Sequence, residues 1–429
     1  MKRIFAMALA LLMLLSTVSC GGGSLDEIGS ETATQPATGG AQNKTEEVDT
    51  TDYPTVLNTN ISQQIAALPI ANASMSEDEL RQLCLDFFQI QLTFAWTPNK
   101  DFSFDWTPGR KDEFEVGTVY GGIPYVHSTT NSLYDVLTYY DEETGVMDIK
   151  AMGKEPEKLI GNQCSGGSYW GWARVSNTMH WSGTYRIVAS RGAIPLGPYK
   201  YDTSIDDFTG TNSLTICKAN GEQTMFQSYA QLKKADGLVY YTDGGHVMMA
   251  VSSTPVYKDG KIDAKESYVM VQEQVQGRDP LEQSDGSAIH VQKGRLQKHT
   301  YEYLYQRGYV PFTLAEFHGQ DPVEKGEVSF SYKEASATME QLTTAKLSAN
   351  YSISHVKFTV LDKEGNEAMS KYYYLRNSGN AYDYSIDMVQ LGIIKSSFTK
   401  YITEGATARI DVQIGNGEFL CAWQGAITK

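Results

Sequence analysis

Cys164 and His246 are the two side chains whose types and order suit a nucleophile and its base. Cys164 is followed by Ser165-Gly166-Gly167-Ser168 and then by Tyr169-Trp170-Gly171-Trp172, small residues leading into a run that can continue as a helix. A cysteine at a helix start faces unpaired backbone N–H groups and the positive end of the helix dipole, and both favour the thiolate. Small neighbours, Ser165 among them, let a substrate backbone approach. His246 follows Gly245 and heads the apolar run Val247-Met248-Met249-Ala250-Val251. Held by that strand, a neutral imidazole takes the thiol proton or pairs with the thiolate. The competing reading of Cys164 is a buried structural thiol, and that of His246 a solvated turn residue.

A third group should orient the imidazole. The strand Tyr268-Val269-Met270-Val271-Gln272-Glu273-Gln274 ends in three polar residues. Alternation puts Val269, Val271 and Glu273 on one face, and Met270, Gln272 and Gln274 on the other. Glu273 is the expected partner of His246, with Gln274 as the competing choice.

These residues need elements to position them. Ser76-Glu77-Asp78-Glu79 has the form of a capping box, and Leu80, Leu83, Cys84, Phe87, Ile90, Gln91 and Phe94 follow at helical spacing, so a helix closes before Thr97-Pro98 with Cys84 in the core. Phe102 to Trp106 alternates like a strand, and Thr107-Pro108-Gly109 turns the chain. Leu214-Thr215-Ile216-Cys217, Leu238-Val239-Tyr240-Tyr241 and His246 to Val251 read as strands, the last two joined as a hairpin through Asp243-Gly244-Gly245. Helices come first and strands after, which predicts an α+β domain. From about Gly326 the chain alternates apolar and polar residues in several short strands, punctuated by turns such as Asp362-Lys363-Glu364-Gly365-Asn366, the pattern of an all-β immunoglobulin-like sandwich.

The chain opens with Met1-Lys2-Arg3, an apolar run from Ile4 to Leu15, and Ser16-Thr17-Val18-Ser19-Cys20. That run is too short to span a bilayer and reads as an export signal. Small residues before a cysteine resemble a bacterial lipobox, which implies lipidation of Cys20 and anchoring to the outer face of the cell membrane. From 21 to 52 hardly an apolar side chain occurs, so this stretch is expected to be a tether. The expected division is therefore signal 1–20, tether 21–52, α+β domain 53–325 with an N-terminal helical extension, and sandwich 326–429. A net charge of -15 and a pI near 5.0 argue against a nucleic-acid partner. The five cysteines form no close-set framework, and neither Cys-x-x-Cys nor His-Glu-x-x-His occurs, so neither metal nor cofactor is expected.

The series Gly122-Ile123-Pro124-Tyr125, Cys164-Ser165-Gly166, Asp236-Gly237-Leu238-Val239-Tyr240-Tyr241, Gly245-His246-Val247 and Glu273 resembles, in order, that of NlpC-type cell-wall peptidases, a papain-like family. The resemblance covers about 150 residues and implies a papain-like α+β fold, Cys164 as nucleophile, His246 as general base and acid, and Glu273 at the orienting position. Tyr125 corresponds to the tyrosine that members place beside the nucleophile; with Ser165 and Gly245 it is expected to face substrate. The compartment and the family together point to amide bonds in peptidoglycan stem peptides. Departures are Gln163 where aspartate is usual, a residue other than the commoner histidine at position 273, and long intervals from Val126 to Asn162 and from Cys164 to His246. The alternative is a surface protein of this fold that has lost activity and binds a wall polymer or host glycan. Trp170, Trp172, Trp181 and Tyr185 fit either a groove or the core.

Overall fold

The computed structural model describes residues 60–107, 110–126, 131–149, 161–179, 192–201, 213–242, 244–283, 285–374 and 384–429. The expected signal, Cys20, the tether, Trp181 and Tyr185 lie outside the described residues. A short helix, α1 (Ile61–Ala67), precedes α2 (Glu77–Thr93). At the start of α2 the Ser76 hydroxyl accepts from the Glu79 N–H while the Glu79 carboxylate accepts from the Ser76 N–H at 2.7 Å, a reciprocal cap that satisfies two orphan donors. Strands β1 (Ala95–Pro98), β2 (Phe102–Thr107), β3 (Arg110–Phe114) and β4 (Val119–Gly121) follow, then α3 (Leu133–Leu137), β5 (Tyr140–Asp141), β6 (Val146–Met147) and α4 (Cys164–Trp172). After β7 (Ala193–Pro195) come α5 (Ser213–Asn220), α6 (Glu222–Tyr229), β8 (Gly237–Tyr241), β9 (Gly245–Thr254), the small hairpin β10 (Tyr257–Lys258) and β11 (Lys261–Ile262), and β12 (Tyr268–Gln272). Then β13 (Arg278–Glu282), β14 (Ala288–Gln292), β15 (Gln297–Thr300), α7 (Tyr301–Arg307) and β16 (Val310–Leu314) complete this part.

Two six-stranded sheets organise it. One, in the order β15-β12-β9-β8-β16-β7, is antiparallel throughout. The other, β13-β14-β4-β1-β6-β5, includes the parallel pairs β14 with β4 and β1 with β6. Helices cover both faces of the first sheet. Trp172 of α4 packs edge-on against Phe312 of β16, their ring centroids 5.2 Å apart, and Phe312 in turn covers Gly237. On the opposite face Tyr301 of α7 and the Tyr229 carbonyl of α6 share the Ser253 hydroxyl of β9 at 2.6 and 2.8 Å. A buried arginine ties α2 to the sheet: Arg81 reaches Glu77 at 2.8 Å, Asp236 at 2.6 Å and the Lys234 carbonyl at 2.9 Å, and lies over the Phe317 ring. Burial raises the Asp236 carboxyl, and the guanidinium opposes that rise.

Leu214 to Cys217, expected as a strand, is the first turn of α5. Four residues of this composition fit either element; Ile216 and Cys217 pack together into the core while Thr215 and Lys218 face solvent, a helical division, and Gly221 at φ 79 ends the helix. Helices also do not simply precede strands: β1 to β4 come before α4, and α7 lies between β15 and β16.

The C-terminal region is rich in sheet. Its elements are β17 (Val328–Phe330), β18 (Ser336–Thr338), α8 (Met339–Thr343), β19 (Lys346–Ala349), β20 (Ile353–Leu361), β21 (Glu367–Tyr374), β22 (Ser385–Asp387), α9 (Lys395–Thr399), β23 (Thr407–Ile414) and β24 (Phe419–Thr428). They form a three-stranded sheet, β17-β19-β22, and a five-stranded one, β18-β24-β23-β20-β21, in which β18 runs parallel to β24. Phe330, Leu347 and Ile386 of the first join Val356, Phe358, Ile410 and Val412 of the second in one core. This region abuts α3 and α4: the Ser132 hydroxyl that caps α3 meets the Ser354 hydroxyl at 2.6 Å, and the Tyr169 hydroxyl of α4 meets the Ser352 hydroxyl. Among the described residues no helix is long and apolar enough to cross a membrane.

Candidate functional site

Three glycines in nine residues make α4 a poor helix by intrinsic propensity. Packing holds it. A Cβ on Gly167 would sit 3.1 Å from the Gln274 Cβ and from the Phe88 ring, and one on Gly171 would sit 2.8 Å from Met249 Cε and 3.2 Å from the Cys84 carbonyl. The bare side of α4 thus lies close against α2 and the sheet, and every residue from Cys164 to Trp172 is buried. Trp170 and Trp172 are core residues, at 1% and 0% exposure.

The same contacts set α4 against the sheet: Gly171 lies by Met249, which pairs with Gln272 at the end of the β9–β12 ladder, and Gly167 lies by Gln274, two residues beyond that end.

Gly122 to Tyr125 lies beside the helix start. Tyr125 bridges Asn162, with Val126 N–H donating to the Asn162 carbonyl at 2.9 Å and Asn162 N–H to the Pro124 carbonyl at 3.0 Å. Gly122, at φ 83, is where a Cβ would strike the Leu92 carbonyl. The Ile123 carbonyl accepts from Gln274 and Gln292, each at 2.8 Å. Gln274 therefore fixes the segment that carries Tyr125 and does not reach His246.

His246 pairs through Nε2 with the Glu273 carboxylate. Both are buried, at 9% and 7% exposure. The other Glu273 oxygen lies 3.6 Å from His299 Nε2, and the His299 ring stacks on Tyr303 of α7 at 4.8 Å. Burial alone would raise the Glu273 carboxyl; the two imidazoles overcome it and hold the group far below the usual carboxylate range. Nδ1 of His246 has no hydrogen-bond partner among the described residues. Sequence reading missed His299, whose only signal is its register opposite Val269, on the Glu273 side of the sheet, and that requires knowing how β12 and β15 pair.

Strand alternation separates this pair from Cys164. Met249, Gln274 and Phe312 face α2 and α4; His246 and Glu273, out of phase with them, face the layer of α7 with Tyr240, the cross-strand partner of His246. The structure thus brings His246 and Glu273 together and sets α4, which bears Cys164, in the layer across the sheet. One feature narrows that division: the β9–β12 ladder ends at Met249–Gln272, and the Glu273 N–H turns away to the Gly294 carbonyl at 2.8 Å. Among the described residues no paired strand stands between the layers beside His246 on that side. Cys84, Cys217 and Cys421 are free thiols. Burial pushes Cys217 up to about 12 and Cys84 higher still. Among the described residues no group of three or more His, Cys, Asp and Glu is arranged to hold a metal ion.

Comparison of the chain with family models, with curated proteins and with solved structures returned no match.

Proposed function

We propose that the chain is a surface-anchored cysteine hydrolase that cleaves amide bonds in peptidoglycan stem peptides. In this reading an NlpC-type papain-like domain carries the chemistry, an immunoglobulin-like sandwich follows it, and lipid on Cys20 holds both at the outer face of the bacterial membrane. The observation that carries the reading is the buried His246–Glu273 pair, with Nδ1 of the imidazole left over, on the sheet against which the helix that starts at Cys164 packs. The sandwich assignment is supported by strand order: the first, third and sixth strands form one sheet, and in the other the last two lie beside the fourth and fifth.

Catalysis requires Cys164 as the free thiol. Turnover further requires the His246 ring to come to the Cys164 side past the end of the β9–β12 ladder, where Nδ1 takes the thiol proton while Glu273 holds Nε2–H and offsets the imidazolium charge. The thiolate attacks the amide carbonyl, and unpaired N–H groups at the start of α4 face the developing oxyanion. His246 returns the proton to the leaving amine, and water releases the acyl group. Tyr125, Ser165 and Gly245 flank the carbonyl.

A second reading is favoured by one observation: Cys164 is fully buried while His246 faces the other layer. It makes the chain an inactive relative of that fold that binds a wall polymer or host glycan. Mass spectrometry of purified peptidoglycan after incubation with the reduced protein separates the two. New amine and carboxyl ends, absent with Cys164→Ala and with His246→Ala, support the hydrolase. Sedimentation of intact protein with the wall and no released fragment supports the binding protein, and release undiminished by Cys164→Ala sinks the cysteine mechanism.

A further inference from the structure

The second sheet carries a cavity of about 300 Å³ lined by Arg278 and His290 from β13 and β14, Tyr120 from β4, and Asp112, Glu113 and Glu115 from β3 and the turn after it. None of these residues belongs to the pair described above. The Arg278 guanidinium lies over the Phe114 ring at 4.7 Å and the Tyr120 ring at 5.7 Å, so its plane is held by aromatic faces. Its Nε and Nη2 are buried without any hydrogen-bond partner. Asp112 has one oxygen on Gln276 Nε2 at 3.2 Å, and the other is buried with no partner. No ion pair joins the two groups among the described residues, although each feels the other's charge. Burial lowers Arg278 to about 10 and raises Asp112, the direction expected of charges that lack their counterpart.

A buried donor fork and a buried acceptor, both unmet, lose free energy unless something supplies the missing partners. A simple anion suits Arg278 but meets three carboxylates in the same cavity. A simple cation suits the carboxylates but meets the guanidinium. A molecule with both charges on one short frame answers both, and the volume is at the small end of ligand pockets. We propose that this cavity binds a free α-amino acid as its zwitterion, its carboxylate on the Arg278 fork and its ammonium on Asp112 with Glu113 and Glu115 at the rim. Bidentate guanidinium–carboxylate pairing gives the orientation. Tyr120 and His290, whose rings stand 5.8 Å apart, form the wall beside the amino-acid side chain. The site is independent of Cys164 and His246, and the hydrolase reading can fail while this one stands.

Titration calorimetry of the full chain with alanine, acetate and methylamine tests it, because heat of binding is read without turnover. Alanine is expected to bind at least about tenfold more tightly than either fragment, since each fragment leaves one charge unmet. Arg278→Gln is expected to abolish alanine binding. Should that variant fail to fold, Asp112→Asn, which keeps the shape and removes the charge, is expected to weaken alanine about tenfold and leave acetate unchanged. Absence of alanine binding, equal binding of acetate or methylamine, or alanine affinity unchanged in the variants would each overturn the assignment.

Discussion

Two buried carboxylates meet histidines among the described residues, and their surroundings differ. At the seam between the two regions, Asp135 belongs to the capping box of α3: one oxygen accepts from the Ser132 N–H at 3.0 Å, and the other accepts from the Ser354 hydroxyl at 2.5 Å and meets His355 Nδ1 at 2.8 Å. The His355 ring is walled by Tyr372, Tyr374 and Phe419. Glu273, by contrast, has both oxygens on imidazoles, those of His246 and His299. A carboxylate fixed by a helix cap and two hydroxyl-linked elements is a staple. Glu273 has no such cap among the described residues: it pairs with the His246 ring, and its other oxygen stands 3.6 Å from His299 Nε2. Burial and a short contact do not distinguish them; the donors around the carboxylate do.

The sharpest break in the comparison is expected in turnover. If the proposed hydrolase reading holds, His246→Ala should lower the rate of fragment release from peptidoglycan about 10²–10⁴-fold, the range of a positioned acid–base group, whereas His355→Ala should leave it within about twofold. Equal losses in the two would mean that the seam, and not His246, controls activity.

Stability should rank them the other way. Asp135→Ala removes a cap and two further bonds to a buried carboxylate on both sides of the seam, and about 3 kcal/mol is expected to be lost. Denaturant unfolding followed by tryptophan fluorescence reads this. A change under about 0.5 kcal/mol, the ordinary scatter of surface substitutions, would deny the staple its role.

Thiol reactivity comes next in size. Cys421 is exposed, and Cys84 and Cys217 are buried with thiols pushed up by desolvation. Iodoacetamide on the native chain should therefore modify Cys421 first and the other two only on unfolding. After mild reduction, Cys164 labelled faster than Cys421 would mark an activated thiolate at the start of α4. Labelling as slow as Cys84 would mark a structural thiol.

Much of the framework was legible before any coordinates. The Ser76–Glu79 box and the apolar stripe behind it define α2, Asp243-Gly244-Gly245 marks the β8–β9 hairpin, and alternation separates Glu273 from Gln274. What escaped depends on long-range pairing. Leu214 to Cys217 carries no local feature that chooses helix over strand, and only packing against Tyr229 and Tyr309 decides it. The sheet β13-β14-β4-β1-β6-β5 joins strands far apart in sequence, two pairs of them parallel, which no turn signal announces. The relation of Cys164 to His246 has the same origin: alternation tells which residues of β9 share a face, but not which of the two faces α4 covers.

The smallest effect is a slope with pH. Because the imidazoles hold Glu273 below its ordinary value of 4.5, the folded chain binds this proton less readily than the unfolded one. The stability it contributes is therefore complete above about pH 4.5 and is lost as pH falls through the lower, folded value. Asp236 and Glu316 are raised by burial, so their contributions run the opposite way and favour the fold in acid. A comparison at one pH would mix these signs; a difference between two proteins does not. The gap in melting temperature between the native chain and Glu273→Gln should be widest near pH 6 and should close as the solution is taken below pH 4.5. The corresponding gap for a neutral seam variant, Ser354→Ala, should stay nearly level. A Glu273 gap that is constant from pH 6 to pH 3 would mean that the side chain is held by shape alone, and would remove the electrostatic reason for setting it apart from Asp135.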